Sequence, residues 1–156
     1  MIRLIIIVVI LLNLNTKITA REILGLAYIT DGDTVRIANK RIRLHGIDAP
    51  EANQKCNKNL EKYNCGSVST KALIKKINKE AVKCKVQKKK DRYNRFIGVC
   101  FVGEVNLNKW MVRNGYAIAY RKYSKDYILD ENYAKIKKIG LWSGTFLKPE
   151  KWRKLN

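Results

Sequence analysis

Asp33, Arg43, Asp48, Glu51 and Arg95 lie in three short strings, DGDTVRI, RIRLHGIDAPE and DRYNR. Three carboxylates and two guanidinium groups are the equipment of metal-assisted phosphodiester cleavage. Carboxylate oxygens hold a hard cation such as Ca²⁺. The cation and the arginine forks neutralise charge that builds on phosphoryl oxygens, and a remaining carboxylate can take a proton from water.

Local chemistry suggests how each group is aimed. Asp33 sits where the DGDT turn enters a strand, and Asp48 lies on the segment leaving the next one, so the two can clamp one cation. Pro50 fixes its own backbone angle and restricts Ala49, which projects Asp48 and Glu51 toward one place. Arg43 and Arg95 suit a scissile phosphate because the planar guanidinium stays charged and binds two oxygens at once. Arg92 and Tyr93 stand beside Arg95, placed for a terminal phosphate or a base, and Tyr120 and Tyr123 offer faces for stacking. Blander readings stay open: DGD also makes turns, and tyrosines also fill cores.

The surroundings fit a polyanionic partner. The chain has 33 Lys and Arg against 13 Asp and Glu, a formal charge of +20. Residues 1–20 carry Arg3 and Lys17 and no acid, so residues 21–156 keep +18. Neutralising phosphates with such cations releases counterions and gives salt-sensitive binding. The only histidine is His45, in a strand-like run, which leaves little for a His-based hydrolase.

Residues 1–20 read as an export signal: Arg3, then the apolar run Leu4–Leu12, then a polar stretch ending at Ala20, after which cleavage is expected. The run is shorter than the roughly 20 apolar residues that span a bilayer. An uncleaved anchor remains the alternative, and only then would a membrane be involved. Residues 21–156 read as one domain. Export, to the periplasm or outside the cell, makes an even cysteine count a disulfide signal. The cysteines at 56, 65, 84 and 100 contain no C-x-x-C pair for zinc. A hairpin centred near Arg92 places Cys84 opposite Cys100, which leaves Cys56 with Cys65; four free thiols are the alternative.

The elements that must position these groups are strands over residues 23–29, 34–37, 41–45, 81–86 and 96–102. Helices are expected over residues 67–78, 107–113 and 130–139. A two-residue turn at Asn39-Lys40 would pair Val35 with Leu44 and Ile37 with Ile42, with Arg36 and Arg43 together on the other face. Val68, Leu73, Ile74 and Ile77 trace an apolar stripe, and Gly115 and Gly140 are expected C-caps. The class is α+β.

DGDT, R-x-x-x-x-D-x-P-E, D-R-Y-x-R, NGYAIAY and GLW occur in the order found in the staphylococcal nuclease (thermonuclease) family, and the chain resembles that family from about Ile23 to about Trp142. The resemblance implies a five-stranded OB-type barrel with about three helices, a fold that often binds oligonucleotides. It implies Ca²⁺ on Asp33, Asp48 and the backbone carbonyl of Ala49, with Glu51 activating or orienting the attacking water. It further implies a monomeric, sugar-nonspecific endonuclease acting on DNA and RNA and leaving 3′-phosphate ends, with no stable protein partner. Asn94 stands where the family commonly has glycine, and Asn tolerates the left-handed backbone that such a turn needs. Related domains that have lost acidic residues only grip nucleic acid or peptides, so a non-catalytic binding module is one alternative reading. A small basic exported protein without a catalytic site is another.

Overall fold

A computed structural model of the chain describes residues 21–156; the expected export segment, residues 1–20, lies outside the described residues. Along the chain run β1 (Arg21–Asp31), β2 (Thr34–Ile37), β3 (Lys40–Leu44), β4 (Ile47–Asp48), β5 (Lys55–Lys58), β6 (Glu61–Asn64) and α1 (Cys65–Ile77). Then follow β7 (Ala81–Lys90), β8 (Phe96–Val102), β9 (Val105–Asn106), α2 (Leu107–Arg113), β10 (Ile118–Ala119) and α3 (Ile128–Ile136). A 3₁₀ turn (Gly140–Ser143) and α4 (Pro149–Leu155) complete it.

Five strands close on themselves. The order is β3-β2-β1-β7-β8, and β3 pairs back onto β8, in parallel, while β9 extends the sheet beside β8. This is the expected five-stranded α+β barrel. Alternation decides the interior: Val35, Ile37, Ile42, Leu44, Val82, Cys84 and Cys100 are buried, while Arg36, Lys83 and Lys85 face out. Each large aliphatic side chain fully removed from water contributes about 1.5–3 kcal/mol. Asn108, fully buried on α2, ties the wall together: its amide donates to the carbonyls of His45 and Gly98 and its oxygen accepts from the Cys100 N–H.

Both expected disulfides are present. Cys84 lies opposite Cys100 in the β7–β8 ladder, with Cα atoms 4.0 Å apart. Cys56 is joined to Cys65 across 5.7 Å, tying the β5–β6 hairpin to the start of α1. That hairpin was not legible in the sequence.

The β2–β3 turn is one residue earlier than expected. Ala38 and Asn39, at φ 44° and 62°, form it, so Val35 faces Ile42, Arg36 faces Arg41 and Thr34 faces Arg43. A two-residue hairpin loop of this hand requires positive φ at both central positions, which favours Asn39 as the second of them. The displacement is two positions in register, an even number, so every side chain keeps its expected face. Its effect is to set Arg43 beside the DGDT turn rather than across from Arg36.

The helices differ in detail. α1 begins two residues early because the Asn64 side chain accepts from the Ser67 N–H, and it ends at Asn78 in the left-handed region. Its buried stripe is Cys65, Ser69, Leu73 and Ile77; Val68 and Ile74, expected inside, are 45% and 50% exposed. The small-residue side turns inward because the backbone must come close there. A Cβ on Gly66 would strike the carbonyl of Glu51, and one on Gly32 would strike the Ser69 hydroxyl and Ala49. Gly115 follows α2 in the left-handed region as expected. Gly140 does not cap α3: that helix runs over Ile128–Ile136 instead of residues 130–139, and Lys138 takes the left-handed position, leaving Gly140 to open the 3₁₀ turn. A fourth helix, α4, adds to the three expected.

Candidate active site

The site is built at the rim where β1, β2, β3 and β8 meet. The register of β1 on β2 shifts between Ile29 and Asp31, a bulge that redirects the chain as it enters DGDT. In that turn the Asp33 N–H donates to Asp31 Oδ1 at 2.9 Å. Asp33 itself is 3% exposed. Asp48, on the two-residue strand β4 paired with β10, is wholly buried.

One guanidinium joins the two aspartates. Arg43 Nη1 donates to Asp33 Oδ1 at 2.6 Å and Nη2 to Asp48 Oδ1 at 2.9 Å. Ala49 contributes its N–H to Asp33 Oδ2 at 2.9 Å, which locks the D-A-P-E segment onto the DGDT turn. Gln54, fully buried, holds the far end: its oxygen accepts from the Glu51 N–H at 3.2 Å and its amide donates to the Leu147 carbonyl at 2.7 Å. Glu51 is left one-third exposed, its carboxylate facing the opening.

Arg95 arrives from the β7–β8 connection. Its Nε and Nη2 both lie 2.8 Å from Asp91 Oδ2, while Asp91 Oδ1 accepts from the N–H groups of Tyr93 and Arg95. Asn94 takes φ 60°, as its type suggested. Arg95 Nη1 reaches Thr34 Oγ1 at 3.4 Å, and Thr34 Oγ1 donates to Asp33 Oδ1 at 3.1 Å, which links this arginine to the acids. Tyr93 is gripped from several sides: Arg92 donates to its hydroxyl, Arg41 donates to its carbonyl, and the Arg92 and Arg95 guanidiniums lie 4.8 and 5.2 Å from its ring centre. Tyr120 and Tyr123 meet edge to face at 4.8 Å, with Tyr123 59% exposed.

Asp33, Arg43, Ala49, Glu51, Arg92, Tyr93, Arg95, Tyr120 and Tyr123 thus line one open cavity of about 1180 Å³, and Asp48 lies directly behind Arg43. Every site residue named from the sequence is at or against this cavity. Three contributors were not foreseen. Asp91 was visible only as the first letter of DRYNR, where an Asp side chain folding back on its own turn is a recognisable signal. Gln54 and Arg153 gave none. Arg153, on α4, donates to both Asp48 oxygens and to Glu51 Oε1.

Crowding of charge leaves its mark on ionisation. Burial, then the charge of Asp33, pushes the Asp31 carboxyl up to about 7. Burial also raises Asp48, and its bonds to Arg153 only partly offset this. For Arg43, burial opposes the charge, but Asp33 and Asp48 outweigh it and hold the guanidinium above its usual range. Asp91 ends below the usual carboxylate range: burial works against the anion, but the Arg95 and Tyr93 donors prevail.

A closed small barrel with a buried acid pair, a rim glutamate and two aimed arginines defines an OB-type domain equipped for phosphodiester chemistry. The family model described as staphylococcal nuclease homologue matches residues 41–144, and the chain belongs to that family. It is 34% identical over 127 residues to the succinoglycan biosynthesis protein ExoI of Rhizobium meliloti, covering 79% of this chain and 66% of that one. An uncharacterized endonuclease of Haemophilus influenzae is 35% identical over 134 residues, covering 81% and 70% of the two chains. A micrococcal nuclease of Shigella flexneri is 33% identical over 144 residues, covering 81% and 77%. Site and relatives together support a hydrolase of the nuclease class.

Proposed function

We propose that this chain is an exported, Ca²⁺-dependent, sugar-nonspecific endonuclease that hydrolyses DNA and RNA and leaves 3′-phosphate ends. The observation that carries this reading is the convergence of Asp33, Arg43, Asp48, Glu51 and Arg95, from strings spread over 63 positions, on one basic, open cavity.

The donor set fits a hard cation. Asp33 and Asp48 are carboxylates bonded to the same Arg43 fork, so both border one small volume. Among the described residues no three Asp, Glu, His or Cys side chains gather into a ready cage, so a Ca²⁺ shell here would draw on these two acids, the Ala49 carbonyl, water and a substrate phosphate. Ca²⁺, when bound, would supply positive charge at the phosphoryl oxygens and help orient them. The chain's own groups would do the rest. Arg43 and Arg95 would hold the phosphoryl oxygens as negative charge grows in the five-coordinate transition state. Glu51 would orient and deprotonate the water that attacks phosphorus in line with the departing 5′ oxygen. Tyr93, Tyr120 and Tyr123 would receive splayed bases, a contact that any base can make and that suits cleavage without sequence preference.

Export is supported by the two disulfides, which persist in oxidising compartments. No helix among the described residues is long and apolar enough to cross a membrane. The test is digestion of single-stranded DNA and of RNA by purified residues 21–156 in Ca²⁺ and in excess chelator, with the product ends mapped. Cleavage in Ca²⁺ to 3′-phosphate ends is expected. Full activity in chelator would refute the metal dependence, and tight oligonucleotide binding without cleavage in Ca²⁺ would make the chain a binding module instead.

A further inference from the structure

Asp48 and Glu51 are already served by a cation of the chain's own, and it comes from the last helix. Asp48 Oδ1 accepts from Arg153 Nη1 at 2.9 Å, and Oδ2 accepts from Arg153 Nη2 at 3.2 Å and from the Glu150 N–H at 3.0 Å. The same Nη1 reaches Glu51 Oε1 at 2.7 Å. Arg153 therefore bridges the buried metal-site aspartate and the rim glutamate from the solvent side, while Arg43 approaches Asp48 from the barrel side. Both Asp48 oxygens thus accept bonds from α4, and Oδ1 accepts a further one from Arg43.

The other anchors of α4 are few, among them the Gln54 amide on the Leu147 carbonyl just before it. Of its seven residues only Pro149 is buried, Glu150 and Trp152 are half-buried, and Lys151, Lys154 and Leu155 face water. Pro149 and the half-buried Trp152 supply only part of an apolar contact, and the bonds to Asp48 and Glu51 are the polar tie that fixes the helix on the rim. A guanidinium and a divalent cation compete for the same carboxylate oxygens, and whichever arrives displaces the other.

We propose that Arg153 is a displaceable counter-cation of this site: it neutralises Asp48 and Glu51 until a divalent cation takes over the Asp48 oxygens, and that exchange releases α4 from the rim. This rests on the reading of Asp33 and Asp48 as the metal ligands. Release frees Glu51 from its ion pair, so the group assigned to water becomes available only once the cation is in place. It also opens the side of the cavity lined by Glu150, Arg153 and Lys154. Cation affinity and α4 docking are then one coupling seen from two ends, and by linkage each alters the other by the same factor.

Two measurements on residues 21–156 test it, neither needing turnover. Hydrogen exchange of the wild-type protein with and without Ca²⁺ reads α4 directly, and amides of residues 150–155 should exchange about tenfold faster in Ca²⁺ while those of β7 and β8 do not change. Calorimetric Ca²⁺ titration should give about tenfold tighter binding to Arg153→Gln than to wild type, with Arg153→Lys between them. Equal Ca²⁺ affinity in wild type and Arg153→Gln, or unchanged α4 protection in the wild type, would overturn the exchange while leaving the metal ligands standing. No Ca²⁺ binding by either protein would overturn both readings. The exchange experiment decides the matter should Arg153→Gln fold poorly.

Discussion

Asp91 holds Arg95 by two guanidinium nitrogens, Nε and Nη2, each 2.8 Å from one carboxylate oxygen, and by the Arg95 N–H on the other. The arginine is therefore fixed in its turn before any substrate arrives, with its remaining nitrogen turned toward Thr34 and the acids. In the proposed reaction Asp91 acts through Arg95, as a positioning residue.

Asp91→Ala should lower kcat by about 10–100-fold with a smaller change in KM, because preorganised charge acts chiefly in the transition state. Asp91→Asn, which can still accept one guanidinium bond, should recover part of the loss. Steady-state kinetics on a short oligonucleotide checks this, and equal effects of the two variants on kcat and on thermal stability would reduce Asp91 to a structural role.

Arg43→Lys and Arg95→Lys should each reduce single-turnover cleavage by about 10²–10³-fold, since a point charge cannot reproduce the bidentate fork. The two should differ in stability. Arg43 bonds the buried pair Asp33 and Asp48, so its replacement should also lower the melting temperature, whereas Arg95 pairs with the more accessible Asp91.

For Glu51→Gln, binding and turnover should separate. Gln keeps the shape of a one-third exposed side chain, so oligonucleotide affinity at fixed salt should stay within a few-fold of wild type. Cleavage should fall by about 10²–10⁴-fold, the range general-base catalysis contributes. Unchanged cleavage would remove Glu51 from the reaction.

Away from the site, Glu131 is 1% exposed and accepts from the Ala119 N–H, Arg121 and Lys135. Burial disfavours its charge, but the bonds from Arg121 and Lys135 hold its carboxyl below the ordinary value of 4.5. A lowered folded value means that Glu131 stabilises the fold fully above the ordinary glutamate range, and that this contribution is lost as pH falls through the folded value. Glu131→Gln should therefore cost about 1.5–3 kcal/mol at pH 7, the range for hydrogen bonds to a charged group. The gap to wild type should narrow as pH falls below the ordinary glutamate range in urea melts.

The motifs were legible because they are local. DGDT, DAPE and DRYNR each carry their own turn chemistry, and alternation placed the barrel strands and the Cys84–Cys100 pairing. What escaped the sequence depends on partners far along the chain. Arg153 meets Asp48 across 105 positions, and nothing in KPEKWRKLN reports that, although Pro149 at a first helical turn was a usable start signal. The α1 stripe was misjudged because hydrophobicity favoured Val68 and Ile74, whereas close backbone approach at Gly32 and Gly66 demanded the small face. The hairpin register slipped by two because hydrophobic pattern fixes the face of a strand and only the turn fixes its position along it.

The parallel pairing of β3 with β8 has a kinetic meaning. It matches Arg43 with Ile97, 54 positions later in sequence, and brings the Arg43 strand alongside the strand following Arg95. Joining segments so distant requires loop-closure entropy to be met before any ladder bond compensates, which makes such contacts late events in folding. A chain whose strands have formed but whose seam is still open would hold Arg43 and Arg95 apart, so, with these arginines holding phosphate as proposed, cleavage is expected to need the closed seam.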